Sequence, residues 1–300
     1  MVRFRFMPPF FMPLLLLILL LPMTAAAFLI NEWEAINIGA TGRLPAEQIT
    51  PGEAWLEPVS GIEFTWIASG CYKMGSHPET EGREVDEGPV HEACLDGFWI
   101  SRREITQGQW RQIMRNNPAH FRKGDDYPVE QVAWDDIEGF VEKLNQIYTN
   151  RILFRLPSEA EWEYTCRNRG QNVRYSGGGD PDRVAWYQDN SNQNTQRTGS
   201  REPNRLGIWD MSGNVWEWTR DSYQKDAYAH HPRNNPKVEN ATPYRVIRGG
   251  GWQGNANTLR CTNRGFELFS TKRSDVGLRL VSVIRPPETK PPVGINKMVF

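Results

Sequence analysis

The sequence predicts an α+β fold with little regular secondary structure, in one domain over residues 59–284. Three observations lead there. Only three stretches carry helical signals, the strand candidates are short, and loops rich in Gly, Pro and Asn fill the rest. The chain has 300 residues, 39% hydrophobic, which is enough for one large core. Its formal net charge of -1 argues against nucleic acid or an anionic membrane surface as partner. The five histidines are too scattered to suggest a histidine-rich metal centre.

The N-terminus, "MVRFRFMPPFFMPLLLLILLLPMTAAAFLI", has two arginines, a leucine-rich stretch and then Ala25-Ala26-Ala27. Residues 1–27 therefore read as a secretory signal with a small-residue cleavage site. The rival reading is an uncleaved anchor, since Phe6 to Ile30 is long enough to span a bilayer of about 20 residues. Pro8, Pro9, Pro13 and Pro22 and the A-x-A site favour cleavage. Both readings place the body of the protein outside the cytoplasm, in the periplasm or beyond. Only the uncleaved form would touch a membrane. Residues 28–58 carry Pro45, Pro51 and Pro58 and read as a lead-in.

The domain starts with "IEFTWIASGCYKMGS", a strand pair around Gly70, followed by the acidic loop "EGREVDEGPVHEAC". "CLDGFWISRREIT" reads as a strand rich in aromatic and β-branched residues. "TQGQWRQIMRNN" predicts a helix capped by Thr106, with Trp110, Ile113 and Met114 on one face. "AWDDIEGFVEKLNQIY" sets Ile137, Phe140, Val141, Leu144, Ile147 and Tyr148 at helical spacing, a core-facing stripe. "RLPSEAEWEYTCR" predicts a third, short helix. Ser158 and Glu161 there form a capping box, and Trp162 and Cys166 lie one turn apart. From Asn168 to Asn204 the chain is loop, anchored by Val184 to Tyr187. Arg245–Arg248 and Gly277–Ile284 are strand candidates, and residues 285–300 form a proline-rich tail.

Cys71, Cys94, Cys166 and Cys261 are even in number and sit in an exported chain, so two disulfides are expected. Their number and order leave all three pairings open. The remaining stretch, "GIWDMSGNVWEWTRD" from Gly207 to Asp221, fits neither helix nor alternating strand. It packs three tryptophans, two glycines and three carboxylates into fifteen residues.

These blocks resemble the formylglycine-generating enzymes, or sulfatase-modifying factors. The resemblance covers about Ile62 to Val283 and rests on "GCYKMGS", "DGFWISRREITQGQW", "PVEQVAWDDIEGFVEKLN", "RLPSEAEWEYTCR", "GIWDMSGNVWEWTRD", "RVIRGGGW", "LRCTNRG" and "GLRLV", in the family's order. It implies a fold related to C-type lectins. It also implies that the tryptophan-rich run is a structural calcium loop, with side-chain oxygens from Asp210 and Glu217 and carbonyls from Gly213 and Val215. Calcium takes six to eight hard oxygens, which suits acids flanking a tight turn. A plain packed turn is the competing reading. The family's second calcium site has no matching acids in the Asn190–Gly207 loop. The resemblance further implies that Cys166 pairs with Cys261, leaving Cys71 for Cys94.

The match fails at the family's copper-binding cysteine pair. That interval, Gln253 to Leu259, reads "QGNANTL", and Gly251 stands where the family has a serine. Copper(I) prefers thiolates, so no copper and no formylglycine formation are expected. Two readings remain. In the first, an exported binding or maturation factor presents Trp252, Gln253, Asn255, Asn257 and Arg260 to a peptide, protein or glycan. In the second, an enzyme of altered chemistry, an oxidoreductase or another class, acts on a peptide-like metabolite. Its candidate groups are Tyr244, Arg248, Arg264, Glu267 and Asp275. Acids or histidines converging beside Trp252 would favour the second.

Overall fold

A computed structural model describes residues 54–148, 152–239 and 241–284. The predicted signal or anchor, most of the lead-in and the proline-rich tail lie outside them. Among the described residues no helix is long and apolar enough to cross a membrane.

In chain order the strands are β1 (Ala54–Leu56), β2 (Glu63–Ile67), β3 (Gly70–Met74), β4 (His91–Leu95) and β5 (Phe98–Ser101). Helices α1 (Gln107–Met114) and α2 (Trp134–Ile147) follow, then β6 (Ile152–Arg155), α3 (Glu159–Cys166) and the single turn α4 (Pro181–Val184). The last strands are β7 (Trp216–Ser222), β8 (Tyr244–Arg248), β9 (Gly265–Leu268), β10 (Val276–Gly277) and β11 (Val281–Ile284). They form three sheets, ordered β1-β2-β5-β11-β6, β10-β7-β8-β9 and β3-β4. The class is the predicted α+β one, with short strands and long connections.

Helix signals translate directly. Thr106 accepts from the N–H of Gln109, and the Gln109 side chain returns to the Thr106 N–H. Ser158 and Glu161 close the same reciprocal box, satisfying donors that a helix start leaves open. On α2, Ile137, Phe140 and Leu144 are buried as the stripe predicts, and Phe140 stacks on Trp110 of α1 at 4.9 Å. Ile113 and Met114 are only partly buried.

Several strand predictions need correction, among them Gly277–Ile284, which is split between β10 and β11 in different sheets. β2 and β3 both exist but do not pair: β2 lies between β1 and β5, and β3 pairs with β4. The predicted single strand after Cys94 is split between β4 and β5, which belong to different sheets. The lead-in ends at β1, where Trp55 stacks on Phe64 at 5.1 Å and the buried Glu57 accepts the N–H groups of Val59 and Ser60. The tryptophan-rich run ends in a strand, β7, buried along nearly its whole length. Burial on both faces removes the alternation that would have announced it. Strand β9 gave no clear signal either.

Both disulfides are present, Cys71–Cys94 and Cys166–Cys261, and no free cysteine remains. All eight residues of α3 are buried, including three glutamates. Each glutamate meets arginine. Arg155 grips Glu161 at 2.6 and 2.7 Å. Arg167 and Arg248 reach Glu163 at 2.9 and 2.8 Å. Arg264 and Arg248 reach Glu159 at 2.7 and 3.1 Å. Burial alone would raise the Glu159 pKa, but Arg264 and Arg248 outweigh it and hold it at about 2. This charged layer joins α3 to β8 and to the Cys261–Arg264 turn.

Candidate functional site

The turn between Ile208 and β7 is built around positive-φ residues. Asp210 has φ 58°, Gly213 88° and Asn214 60°. A Cβ on Gly213 would stand 2.4 Å from the Trp186 carbonyl oxygen, so glycine is required there by contact as well as by φ.

Glu217 is fully buried. Arg279 donates to both its oxygens at 2.6 Å, and the Trp162 indole N–H donates to Oε2 at 2.6 Å. Its carboxylate is thus spoken for by a bidentate guanidinium, an arrangement the sequence reading did not foresee. Asp210 differs. Its Oδ2 accepts from the Gly199 N–H at 2.6 Å, whereas Oδ1 is buried with no partner. A third acid, Glu104, stands in the connection before α1. It accepts from the Val215 N–H at 3.0 Å and from the Asn214 side-chain amide at 2.6 Å. Glu104 also lines a cleft of about 40 Å³ with Arg103 and Gln109.

Electrostatics mark this cluster. Burial pushes the Glu104 carboxyl well above its usual range, and the Asp210 and Glu217 charges push it further. Burial raises Asp210 to about 6, against the opposing Gly199 hydrogen bond and Arg279. Three buried carboxylates thus share one buried guanidinium. The unpartnered Oδ1 of Asp210 and the hard-oxygen donor set fit a calcium ion. Glu217 fits less well, because both its oxygens are held by the Arg279 guanidinium, a cation, whereas Glu104 accepts only neutral N–H groups that an ion could replace in part. Among the described residues no three Asp, Glu, His or Cys side chains form a cage by themselves, so carbonyls such as those of Gly213 and Val215 would have to contribute.

The second region is the Trp252 face. Trp252 is half-buried; its backbone N–H donates to the Asn214 carbonyl at 2.7 Å and its indole N–H to Ser274 at 3.0 Å. Phe121 meets it edge-to-face at 5.5 Å, and His120 meets Phe121 at 4.7 Å. Gln253 is exposed and donates to Asp275 at 2.7 Å. Asn255 is exposed and caps the 3₁₀ turn Ala256–Leu259, accepting from the Asn257 N–H. Asn257 donates to the Gly82 carbonyl at 3.0 Å.

Arg260 stands apart from the other four. It is 1% exposed and holds Glu87 through two bonds of 2.7 and 2.8 Å. It braces the face from beneath and offers nothing to a ligand. The candidates for altered chemistry are likewise dispersed. Arg248 and Arg264 are locked onto α3, Tyr244 is an exposed residue of β8, and Glu267 and Asp275 both bind Arg273 at 2.7–2.9 Å.

One acid bonded to Phe121, the neighbour of Trp252, was missed. Glu130 is fully buried. Its Oε1 accepts from the Phe121 N–H at 2.7 Å, and its Oε2 has no partner. Burial raises its pKa, and the nearby Asp275 charge adds to the rise. No spacing rule could have found it, since its neighbours lie in "AHF" and in the Arg273–Asp275 loop.

The sulfatase-modifying factor enzyme 1-like domain model matches residues 57–284. "Chaperone protein LppX" of Paenibacillus barcinonensis is 33% identical over 238 residues, 62% of this chain and 80% of that protein. The "Inactive C-alpha-formylglycine-generating enzyme 2" of Bos taurus is 26% identical, covering 78% and 93% of the two chains. Among solved structures, Treponema denticola variable protein 1 superposes with a TM-score of 0.66 at 25% identity, covering 78% of this chain and 99% of that one.

Proposed function

We propose, from the premise that the chain belongs to the sulfatase-modifying factor enzyme 1-like family, that it is an exported binding or maturation factor working through the Trp252 face. The carrying observation is the closure of all four cysteines in disulfides. No thiolate is left to bind copper(I). What the corresponding face offers instead is an aromatic edge and amides: Trp252 with Phe121 beneath it, then Gln253, Asn255 and Asn257. Such groups suit a peptide, protein or glycan ligand. The match to a protein named a chaperone and to one named an inactive enzyme supports the same reading. Two disulfides suit an oxidising compartment, in line with an N-terminal signal or anchor.

A photo-crosslinking residue at position 253 tests this in cells. It is expected to yield a discrete adduct with an extracytoplasmic partner, lost on Trp252→Ala. Absence of any adduct, or one indifferent to Trp252, would count against the face. A second reading, an enzyme of altered chemistry, draws on the unpartnered Glu130 oxygen beside Asp275 and His120. Glu130 is sealed from solvent and caps the turn at Phe121, which favours a supporting role for it.

We also assign structural calcium to the tryptophan-rich turn, held by Asp210 Oδ1 with Glu104 and turn carbonyls. When bound it would balance the excess carboxylate charge beside Arg279. A strong chelator is expected to lower the melting temperature, with recovery in calcium and little in magnesium, which holds its water more tightly. At free calcium 100 times the dissociation constant the stabilisation is about 2.7 kcal/mol. Asp210→Asn should erase the chelator effect. Glu217→Gln should destabilise with or without calcium, because it breaks the Arg279 pair. A melting temperature blind to chelator would leave only a packed turn.

A further inference from the structure

We propose that His91 and His231 form a two-histidine site for a borderline divalent transition cation, of the copper(II), nickel or zinc class. The site lies apart from both regions above. His91 opens β4, and His231 follows the 3₁₀ turn Ala227–Ala229. The two side chains are 140 residues apart in sequence, yet His91 Nε2 and His231 Nδ1 stand 3.1 Å from each other.

The fold holds them there. The Cys94 N–H donates to the Arg233 carbonyl at 2.8 Å, and the Asn235 N–H donates to the Cys94 carbonyl at 2.7 Å. Arg233 also pairs with Glu92 at 2.6 Å. The loop after His231 is thus sewn along β4, and Cys71–Cys94 ties β4 to β3. The ring of Tyr228 lies 5.0 Å from His91 and 5.3 Å from His231, a wall behind both imidazoles.

His91 is oriented as a ligand. Its Nδ1 lies 3.2 Å from the Pro89 carbonyl oxygen and donates to it. That leaves Nε2 with its lone pair, and a carbonyl partner on the far nitrogen is the usual support of a metal-binding histidine. On His231, Nε2 is buried without a partner. In the metal-free pair the Nδ1–H of His231 therefore donates to His91 Nε2; a cation entering between them displaces that proton, which passes to the partnerless Nε2, and Nδ1 then offers its lone pair. Two nitrogens 3.1 Å apart can both lie about 2.0–2.1 Å from one ion, at an angle of about 100°. That angle suits square-planar or tetrahedral coordination, and imidazole suits copper, nickel and zinc. Among the described residues no third His, Cys, Asp or Glu completes a cage. The remaining positions are open to water or to a donor from another molecule.

The protein, purified without a polyhistidine tag and kept in excess calcium, is titrated with copper(II) or zinc sulfate by calorimetry. One equivalent is expected, with copper tighter than zinc. His91→Ala and His231→Ala should each weaken binding at least tenfold, while His230→Ala, an exposed neighbour, should not. Electron paramagnetic resonance of the copper form should show nitrogen couplings that diminish in either variant. Unchanged melting temperatures and closed disulfides would show that the variants fold; His91→Gln serves if alanine does not. Absence of saturable binding, or full binding by a folded double variant, would reduce the pair to a hydrogen bond.

Discussion

Replacing Arg248 with methionine is expected to lower the melting temperature by about 6–12 °C. Arg248 is fully buried and pairs with Glu159 and Glu163, themselves buried. Removing one partner of a buried pair costs about 3–5 kcal/mol, because an uncompensated charge stays inside. The lower end applies, since Arg264 still holds Glu159 and Arg167 still holds Glu163. For a domain of this size each kcal/mol is worth about 2–4 °C. Thermal melts of Arg248→Met and of Arg248→Met with Glu163→Gln check this; the second change should recover part of the loss. The defect should also depend on pH. Glu159 is held at about 2, below the ordinary carboxylate value. Its contribution is therefore full above the unfolded pKa and fades as pH falls toward 2. The gap between wild type and Arg248→Met should narrow over that same window. Equal melting curves at neutral pH would mean that the layer contributes nothing net.

The double variant Cys166→Ala, Cys261→Ala is the second large effect. Its bridge closes a sequence separation of 95 residues, against 23 for Cys71–Cys94. Chain entropy then assigns about 4.7 and about 3.4 kcal/mol to the two bridges. The difference in exposure adds to this. Cys166 and Cys261 are fully buried, whereas Cys71 is exposed. In graded reductant, Cys71–Cys94 should open first with the smaller loss of stability, and Cys166–Cys261 only on global unfolding. Peptide mapping of alkylated thiols along the titration reads the order. Early alkylation of Cys166 in the folded protein would refute it.

Local signals were legible in the sequence, and distant pairings were not. Thr106, Ser158 and Glu161 announce helix starts because a capping box is complete within four residues. Ile137, Phe140 and Leu144 announce a buried face because one helix repeats its geometry. Glu159 and Glu163 look like the solvated face of a short helix. They are buried because Arg248 and Arg264 arrive from 89 and 105 residues away. Arg260 misled in the same manner: it sits among exposed amides in sequence but meets Glu87 across 173 residues. Glu104 and Glu130 lie within the quoted blocks "DGFWISRREITQGQW" and "PVEQVAWDDIEGFVEKLN", but nothing local marks them as buried acids. Their neighbours at Asp210 and Asp275 are brought to them only by the closing of the sheets. The family blocks, by contrast, could be read from their order, and the turn at Gly213 shows why a residue in such a block is constrained: its φ of 88° and the Trp186 carbonyl leave room only for glycine.

The family fold here is read as working without the family's thiol oxidation, and one assay tests that most directly. The protein is mixed with a sulfatase peptide carrying the cysteine that formylglycine-generating enzymes oxidise, with copper(I) and oxygen, under conditions that keep both disulfides closed. Mass spectrometry of the peptide is expected to show the cysteine unchanged at every time point. Copper-dependent conversion of that cysteine to the aldehyde would contradict the reading and return the chain to the oxidising enzymes.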